Sequence, residues 1–308
     1  MTDQEKIIID TIAKKYSPRY SGRVYDKYSP AFITTNEDLF ATFDAVNPRG
    51  KDVLTVCASG MHPLYAALFG AKSITSFDIS HCAEYVLKMN IATIRNLSYE
   101  KYERFIRPAF RNNTVRGGKT FNIIRPNLDD GAQYFFDRMR NKEFINGDGY
   151  DEPTLPIKPD FLKMQKMPMN VIESPSAKAM GDKSSRAPDL TKPTGGGYSQ
   201  PAPAGIEFIR TDIRDLHTHL TRPYDIIHFS NIFGYANADD KPKIVRNVAK
   251  FMNSDGTMIV QYAYGNRNRA NNAVKELRHA LPEFSFEVMT LDGGVAPSYL
   301  VVMHKRCK

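Results

Sequence analysis

From Lys51 onward, short apolar runs rich in β-branched residues alternate with longer stretches whose apolar positions recur at helical spacing. Asp52–Cys57 (DVLTVC) and Ser73–Phe77 (SITSF) read as strands buried on both faces. Between them, Ala58-Ser59-Gly60 is a small-residue turn, and Pro63–Phe69 is a short helix ended by Gly70. Asp78 closes the second strand, and Ser80 caps a long helix over His81–Asn96. The pattern resumes with strands Ile206–Arg210, Tyr224–Phe229 and Thr257–Tyr262. Ile244, Val245, Val248 and Phe251 mark a helix over Asp239–Met252, and a further helix covers Asn271–Leu281. Phe284–Met289 and Ser298–His304 make a final antiparallel pair. Strand, turn, helix, strand, Asp, helix is the signature of a doubly wound nucleotide-binding sheet. Seven strands are expected.

The rest of the chain departs from this alternation. Residues 1–16 read as a helix with a Thr2/Glu5 capping pattern and an Ile7, Ile8, Ile12 stripe. A tyrosine-rich stretch, Tyr16 to Tyr28, follows; it reads as a cover over a ligand or as aromatic packing onto the sheet. Thr35 or Asn36 is expected to cap a helix over Glu37–Phe43, stopped by Asn47-Pro48. Residues 99–205 interrupt the sheet with a short helix (Tyr99–Phe110), a basic loop, a helix over Gly131–Lys142 and a biased stretch. Nine of the chain's 19 prolines fall between Asp151 and Gly205. A stretch this long without its own pattern reads as a functional lid or an inserted segment, because the sheet resumes after it. The expected division is therefore an N-terminal helical segment (1–50), a Rossmann-like domain (51–98 with 206–308) and a substrate-lid insertion (99–205).

Composition narrows the class. A chain of 308 residues is one large domain or two small ones at about 100–200 residues each. With 42% hydrophobic and 25% charged residues it is globular. The longest apolar run, Leu64–Phe69, is far short of the ~20 residues that cross a membrane. No secretory signal pattern is present at the N-terminus, and Cys57, Cys82 and Cys307 lack metal spacing, so a reducing cytoplasm is expected. The net charge is +8. Eight of the basic residues lie between Arg95 and Arg125, opposed only by Glu100 and Glu103. That segment reads either as a phosphate-binding face for RNA or as a solvated helix and loop.

The chemistry gathers where the strands end. In an open parallel sheet, ligands bind outside the carboxyl ends at the switch point. A carboxylate there, such as Asp78, accepts from two vicinal hydroxyls, and a small-residue turn lets backbone amides approach a ligand. Asp78 also reads as a charge at a helix N-terminus, and Asp212 as a helix cap. No P-loop lysine follows the turn. His217 and His219 form an H-x-H pattern without a third ligand, so no metal site is expected. Cys57, inside a strand, is a structural thiol. His62, just after the turn, reads as a base, a substrate binder or an exposed turn histidine. Tyr235 faces substrate or packs under a lid.

On these residues the chain resembles the class I S-adenosylmethionine-dependent transferases over Lys51–Asn96 and Ile206–His304. The resemblance implies that fold, a Rossmann-like doubly wound seven-stranded α/β sheet with a large insertion. It implies S-adenosylmethionine as the cofactor, with Ala58, Ser59 and Gly60 under its methionine part. Asp78 and Ile79 would lie at the ribose, Asp212 and Ile213 at the adenine, and Asn231 beside the sulfonium. The first loop departs from the usual glycine-rich turn, since only Gly60 remains in ASGMHPLY. The segments GAKSITSFDIS and NLSYE look like the diacylglycerol 3-amino-3-carboxypropyltransferases of betaine-lipid synthesis. SGMHPLY with ADDKPKIVRNVAKFMNSDGTMIVQYAYG looks like nicotianamine synthases. Both imply transfer of the aminocarboxypropyl group to an amine or hydroxyl of a small-molecule or lipid acceptor, with His62 or Tyr235 as base and methylthioadenosine released. The bulk of Ser59–Pro63 is expected to displace that arm toward the acceptor. The alternatives are a methyltransferase acting on RNA or a small molecule, and a non-catalytic binding protein of the same fold.

Overall fold

The chain is described from a computed structural model covering residues 1–15, 27–29, 31–35, 37–112, 118–139, 145–146, 155–167, 171–173, 205–230, 232–234, 236–262, 267–291 and 298–306. Its strands are β1 (Ala31–Phe32), β2 (Asp52–Val56), β3 (Ser73–Asp78), β4 (Ile145–Asn146), β5 (Val171–Glu173), β6 (Ile206–Arg210), β7 (Tyr224–His228), β8 (Met252–Tyr262), β9 (Phe284–Leu291) and β10 (Ser298–Lys305). The short β1 and β4 pair with each other. The other eight form one sheet in the order β5-β6-β3-β2-β7-β8-β10-β9. All neighbours run parallel except β10, which is antiparallel to both β8 and β9. Without β5, the seven expected strands stand in the chain order third, second, first, fourth, fifth, seventh, sixth. This is the class I methyltransferase fold. The chain winds outward from β2 through β3 to β6 and then in the other direction from β7, so the switch point lies between β2 and β7.

Period-two alternation in the central strands sends side chains into two cores. Val53 packs with one cluster of buried residues, and Leu54 and Val56 with the other. The first face carries α1 (Asp3–Lys15), α2 (Leu39–Val46), α3 (Met61–Leu68) and α4 (His81–Asn96). The second carries α9 (Asp240–Ala249) and α10 (Arg267–Ala280). Four further helices belong to the insertion: α5 (Tyr99–Asn112), α6 (Lys119–Ile124), α7 (Asp130–Met139) and α8 (Lys158–Lys166). Phe121, Phe135, Phe161 and Met164 from these helices are buried in the first core, and Phe135 stacks on Tyr85 of α4 at 4.4 Å. The helices of the insertion are thus an outer layer on α4.

Local signals explain most helix ends. Ser80 accepts from the amide of Cys82 at 3.1 Å, Gly70 is left-handed (φ 84°), and Thr2 accepts from the amide of Glu5. Three expectations are corrected. The second helix starts at Leu39, capped by Asp38, which accepts from the amide of Ala41 at 2.9 Å. Glu37 is turned inward and Thr35 accepts from its amide at 3.1 Å without capping the helix, while Asn36 lies outside the described residues. The fifth expected strand begins at Met252, not Thr257, because the register against β7 shifts between Tyr224 and Ile226 and accommodates Asn253–Gly256. The basic loop and the biased stretch contain α6, α8 and an eighth strand, β5, on the edge beside β6. Lys158-Pro159 opens α8 with proline in its first turn.

Gly60 is fixed by both conformation and contact. Its φ is 81°, and a Cβ there would sit 2.7 Å from the backbone Cα of Leu87 in α4. Left-handed backbone alone costs a side-chain-bearing residue roughly 1–2 kcal/mol. Gly60→Ala is therefore expected to destabilise the protein by at least about 1–2 kcal/mol. Chemical unfolding of the purified variant checks this, and an unchanged midpoint would contradict the close α3–α4 approach.

Candidate functional site

The carboxyl ends of β2, β3 and β6 are tied together around Asp78. Its side chain is 4% exposed. One carboxylate oxygen accepts from the amide of Ala58 at 2.9 Å and the other from the amide of Ser80 at 2.8 Å. Its backbone carbonyl accepts from the amide of Thr211 at 2.9 Å, bringing in the end of β6. Burial pushes the Asp78 carboxyl up to about 7, against the backbone amides that favour its charged form. The turn after β2 is closed further by the Gly60 amide, which donates to the Cys57 carbonyl at 2.7 Å. Asn90 of α4 donates to the carbonyls of both Ser59 (2.7 Å) and Ile33 (3.1 Å). The amides of Ala58 and Gly60 are thus engaged within the protein. Ile79 beside Asp78 is half-buried.

Across the switch point lies a second carboxylate. Glu37 sits on the segment before α2, which runs over the strand ends; Ser29 in that segment accepts from the Ser80 hydroxyl at 2.7 Å. Glu37 Oε2 accepts from Nε2 of His62 at 2.8 Å, and Oε1 accepts from the hydroxyl of Ser230 at the end of β7. Both side chains of the Glu37–His62 pair are almost completely buried, at 2% and 1% exposure. Burial raises the Glu37 carboxyl, but the His62 and His228 imidazoles and the two hydrogen bonds outweigh it and hold the group below its usual range. Nδ1 of His62 has no hydrogen-bond partner. His228 lies 5.4 Å away, ring centre to ring centre, with its Nδ1 3.2 Å from the Thr55 hydroxyl. Burial drives His228 down to about 4.

Both central strands end in left-handed residues that are not glycine: Ala58 (φ 49°) after β2 and Ser230 (φ 52°) after β7. Such conformations persist only where the surroundings hold them, and they concentrate at functional sites. The strained pair flanks the switch-point crevice.

The sequence-derived site residues separate into three groups. Ala58, Ser59, Gly60, Asp78 and Ile79 lie together at the ends of β2 and β3, with His62 one turn onward. Asp212 and the buried Ile213 follow β6, where the Arg214 guanidinium grips Asp212. Partial burial raises the Asp212 carboxyl, and Arg214 outweighs it and holds it below its usual range. Asn231 and Tyr235 lie outside the described residues, as do Tyr16, Tyr20 and Tyr25. His62 is not an exposed turn histidine, because Glu37 draws it inward. The bulk of the first loop is also turned inward: Met61 (1% exposed) and Pro63 are buried in the protein. The side chains of Met61 and Pro63 therefore do not project outward from the loop. Cys57 is buried, and burial pushes its thiol well above the ordinary range, as befits a structural residue.

Glu37, Ser230, His228 and Gln261 join the site in the structure without standing among the site residues expected from the sequence. Gln261 is completely buried at the end of β8 and accepts from the Thr42 hydroxyl at 3.1 Å. A polar residue at the end of an apolar strand run is a signal for His228 and Gln261. Glu37 carries none, since an acid before a helix is ordinary.

Elsewhere, Arg107 and Arg125 of the basic segment are paired with Glu103 and Asp137, while Lys101 and Arg104 are exposed. A groove of about 530 Å³ lies between α10 and β9, lined by Asn271, Lys275, Arg278 and Phe286, toward the far edge of the sheet from Asp78. Among the described residues, no group of three or more His, Cys, Asp or Glu is placed to hold a metal ion, and no helix is long and apolar enough to cross a membrane.

No protein-family model matches the chain, and no curated protein matches it. Solved structures of similar shape include a ribosomal protein L11 methylase from Lactobacillus delbrueckii subsp. bulgaricus. It has 10% identity and TM-score 0.39, over 87% of this chain and 77% of that one. The N-methyltransferase NodS from Bradyrhizobium japonicum WM9, in complex with S-adenosyl-L-homocysteine, has 11% identity and TM-score 0.40 over 88% and 85%. A putative rRNA-methylase from Clostridium thermocellum has 10% identity and TM-score 0.40 over 89% and 99%. The fold assignment stands on the strand order of this chain.

The position of Asp78 sets a pH dependence. Its carboxyl in the folded chain lies near 7, above the ordinary aspartate value of 3.8. The folded protein therefore holds a proton there that the unfolded chain has lost, and this group's contribution to stability falls as pH rises from about 4 to about 7. Relative to Asp78→Asn, the wild-type protein is expected to lose stability across that window and to run parallel above it. Urea unfolding of both proteins at pH 4.5, 6 and 7.5 measures the difference, and a constant gap would contradict the assignment.

Proposed function

We propose that this chain is an S-adenosylmethionine-dependent transferase. The observation that carries the reading is the crevice at the β2/β7 switch point of a sheet with the class I methyltransferase strand order. One wall is the Asp78-braced turn and the other the strained end of β7. Ligands of open α/β sheets bind in this place. Ala58, Ser59 and Gly60 would lie under the methionine part, Asp78 and Ile79 at the ribose, and Asp212 and Ile213 at the adenine. Asn231 and Tyr235 follow β7 in sequence and belong to the acceptor side of this reading. The carboxylates of Asp78 and Asp212 keep lone pairs beyond those already used, since an ionised carboxylate offers about four acceptor sites. Once bound, the cofactor supplies an electrophilic carbon and a leaving group; the protein supplies orientation and a proton acceptor.

For the group transferred, we favour aminocarboxypropyl over methyl, on the likeness of the first loop and of GAKSITSFDIS to enzymes that move that group. The inward-turned loop removes the steric argument for it, so the reading rests on the likeness. The acceptor would be an amine or hydroxyl of a small molecule or lipid. Methyl transfer, including to RNA through the exposed Lys101 and Arg104, is the competing reading, and a binding protein without turnover is a third.

The test is incubation with S-adenosylmethionine and candidate acceptors, followed by chromatography of the nucleoside. Methylthioadenosine is the expected product. S-adenosylhomocysteine as the sole product makes the protein a methyltransferase, and binding without any nucleoside product makes it a binding protein. Calorimetry that detects no S-adenosylmethionine binding would overturn the reading altogether.

A further inference from the structure

Glu37 and His62 form a buried acid–imidazole pair at the switch point, between the ends of β2 and β7. An ion-paired or hydrogen-bonded polar pair in such a place is often no more stabilising than apolar residues of the same volume. Three features go beyond packing. Glu37 bridges the two walls, holding His62 on the β2 side and the Ser230 hydroxyl on the β7 side. Ser230 adopts left-handed backbone to reach it. Nδ1 of His62 is buried without a hydrogen-bond partner, and an unpaired buried polar atom destabilises the fold that holds it. A group left unsatisfied at a crevice needs an explanation, and a partner brought by a ligand supplies one.

The geometry points to a division of labour that rests on the transferase reading: we propose that His62 Nδ1 takes the proton of the acceptor nucleophile and that Glu37 is the positioning residue that makes it able to. A carboxylate only accepts hydrogen bonds, so its contact with Nε2 places the imidazole hydrogen on Nε2 and leaves the Nδ1 lone pair open. Ser230 fixes the carboxylate from its other oxygen. The acceptor's N–H or O–H gives its proton to Nδ1, and the electron pair released on nitrogen or oxygen forms the new bond to the electrophilic carbon. That carbon's bond to sulfur breaks with its pair remaining on sulfur, which becomes a neutral thioether. Charge and protons balance without a further reactant. The substrate class follows: an amine or alcohol that must lose a proton in the transfer, not a thioether or other nucleophile without one. The charged and titratable groups facing His62 are Glu37, His228 on β7 and Asp78 on β3.

Glu37→Gln separates positioning from structural support. A glutamine at this position can accept from His62 Nε2 through its oxygen and donate to Ser230 through its nitrogen, so both contacts survive while the charge is lost. The expected result is a kcat reduced about 100-fold or more, in line with the 10²–10⁴ of general-base catalysis. The affinity for S-adenosylmethionine by calorimetry, the KM for acceptor and the thermal midpoint are expected to change little. His62→Ala is expected to lose activity similarly and to recover part of it with added imidazole. Nitrogen NMR of histidine-labelled protein gives a readout without turnover: His62 is expected in the Nε2–H form in the wild type and, because the glutamine oxygen still accepts from Nε2, also in Glu37→Gln, and an Nδ1–H form in the wild type would overturn the proposal. If wild-type protein turns over and Glu37→Gln keeps its full kcat, the proposal is overturned while the transferase reading stands. Equal losses of kcat, cofactor affinity and thermal midpoint would assign the pair to structural support and overturn it as well. Failure of the wild-type protein to bind S-adenosylmethionine, with the Nε2–H form intact, would remove the transferase reading, and the proton-transfer role with it.

Discussion

The carboxylate of Asp78, accepting from the amides of Ala58 and Ser80, is the contact on which the rest of the site depends. A parallel sheet leaves each strand's last amides without a ladder partner, and the turns that follow would otherwise close independently. Asp78 joins two of those turns through its side chain and reaches the third strand end through its carbonyl and Thr211. The consequences run outward. Ala58 is held in left-handed backbone, Gly60 is pressed against Leu87, and Ser80 is placed to cap α4. The acid does this at 4% exposure, where burial opposes its charge, so the turn geometry and the ionisation of one group are coupled.

The two walls of the crevice are built differently. The β2–β3–β6 wall is backbone held by one side chain. The β7 wall is reached from outside the sheet, by a segment that crosses the strand ends before α2. That segment is anchored by the Ser29 and Ile33 carbonyls, and Glu37 fastens it to both strands. This strap is therefore coupled to both walls through a single carboxylate. The inward turn of Glu37 is also why α2 begins two residues later than its sequence pattern implies: Asp38 takes the capping role that leaves Glu37 free to face the sheet.

What the sequence made legible follows from how far apart the interacting groups are. The seven strands show as apolar β-branched runs because the sheet is covered on both faces, and their order follows from parallel winding and a closing antiparallel pair. Asp78 shows because it ends a strand before a capped helix. Its partners do not, since backbone amides carry no residue type. Glu37 and His62 are 25 residues apart, and Glu37 and Ser230 are 193 apart. No local pattern encodes either contact, and each residue alone has an ordinary reading as a helix-end acid, a turn histidine and a strand-end serine. The helices of the insertion were partly hidden for another reason. Proline and charge dominate that segment's composition, although Pro159 near the start of α8 marks a helix start in its own right.

The placement of charge bears on what the crevice can hold. The chain carries a net +8, yet the described groups that converge at the switch point include the buried carboxylates of Glu37 and Asp78, and the arginines on the β6 side, Arg210 and Arg214, are engaged by Glu84 and Asp212. Of the two buried histidines there, His62 and His228, the second is driven toward neutrality by its burial. In a medium less polar than water, a carboxylate near a cation interacts several-fold more strongly than in solvent. A positively charged, otherwise apolar centre is therefore the ligand chemistry these walls favour, and an anion such as a phosphate is disfavoured. For Asp78 the effect is reciprocal: a cation beside it stabilises its charged form, offsetting the burial that raises it, and the ionised form in turn holds the Ala58 and Ser80 amides more strongly. On the proposed transferase reading, the cofactor's sulfonium is such a centre, and its arrival would tighten the turn that receives it.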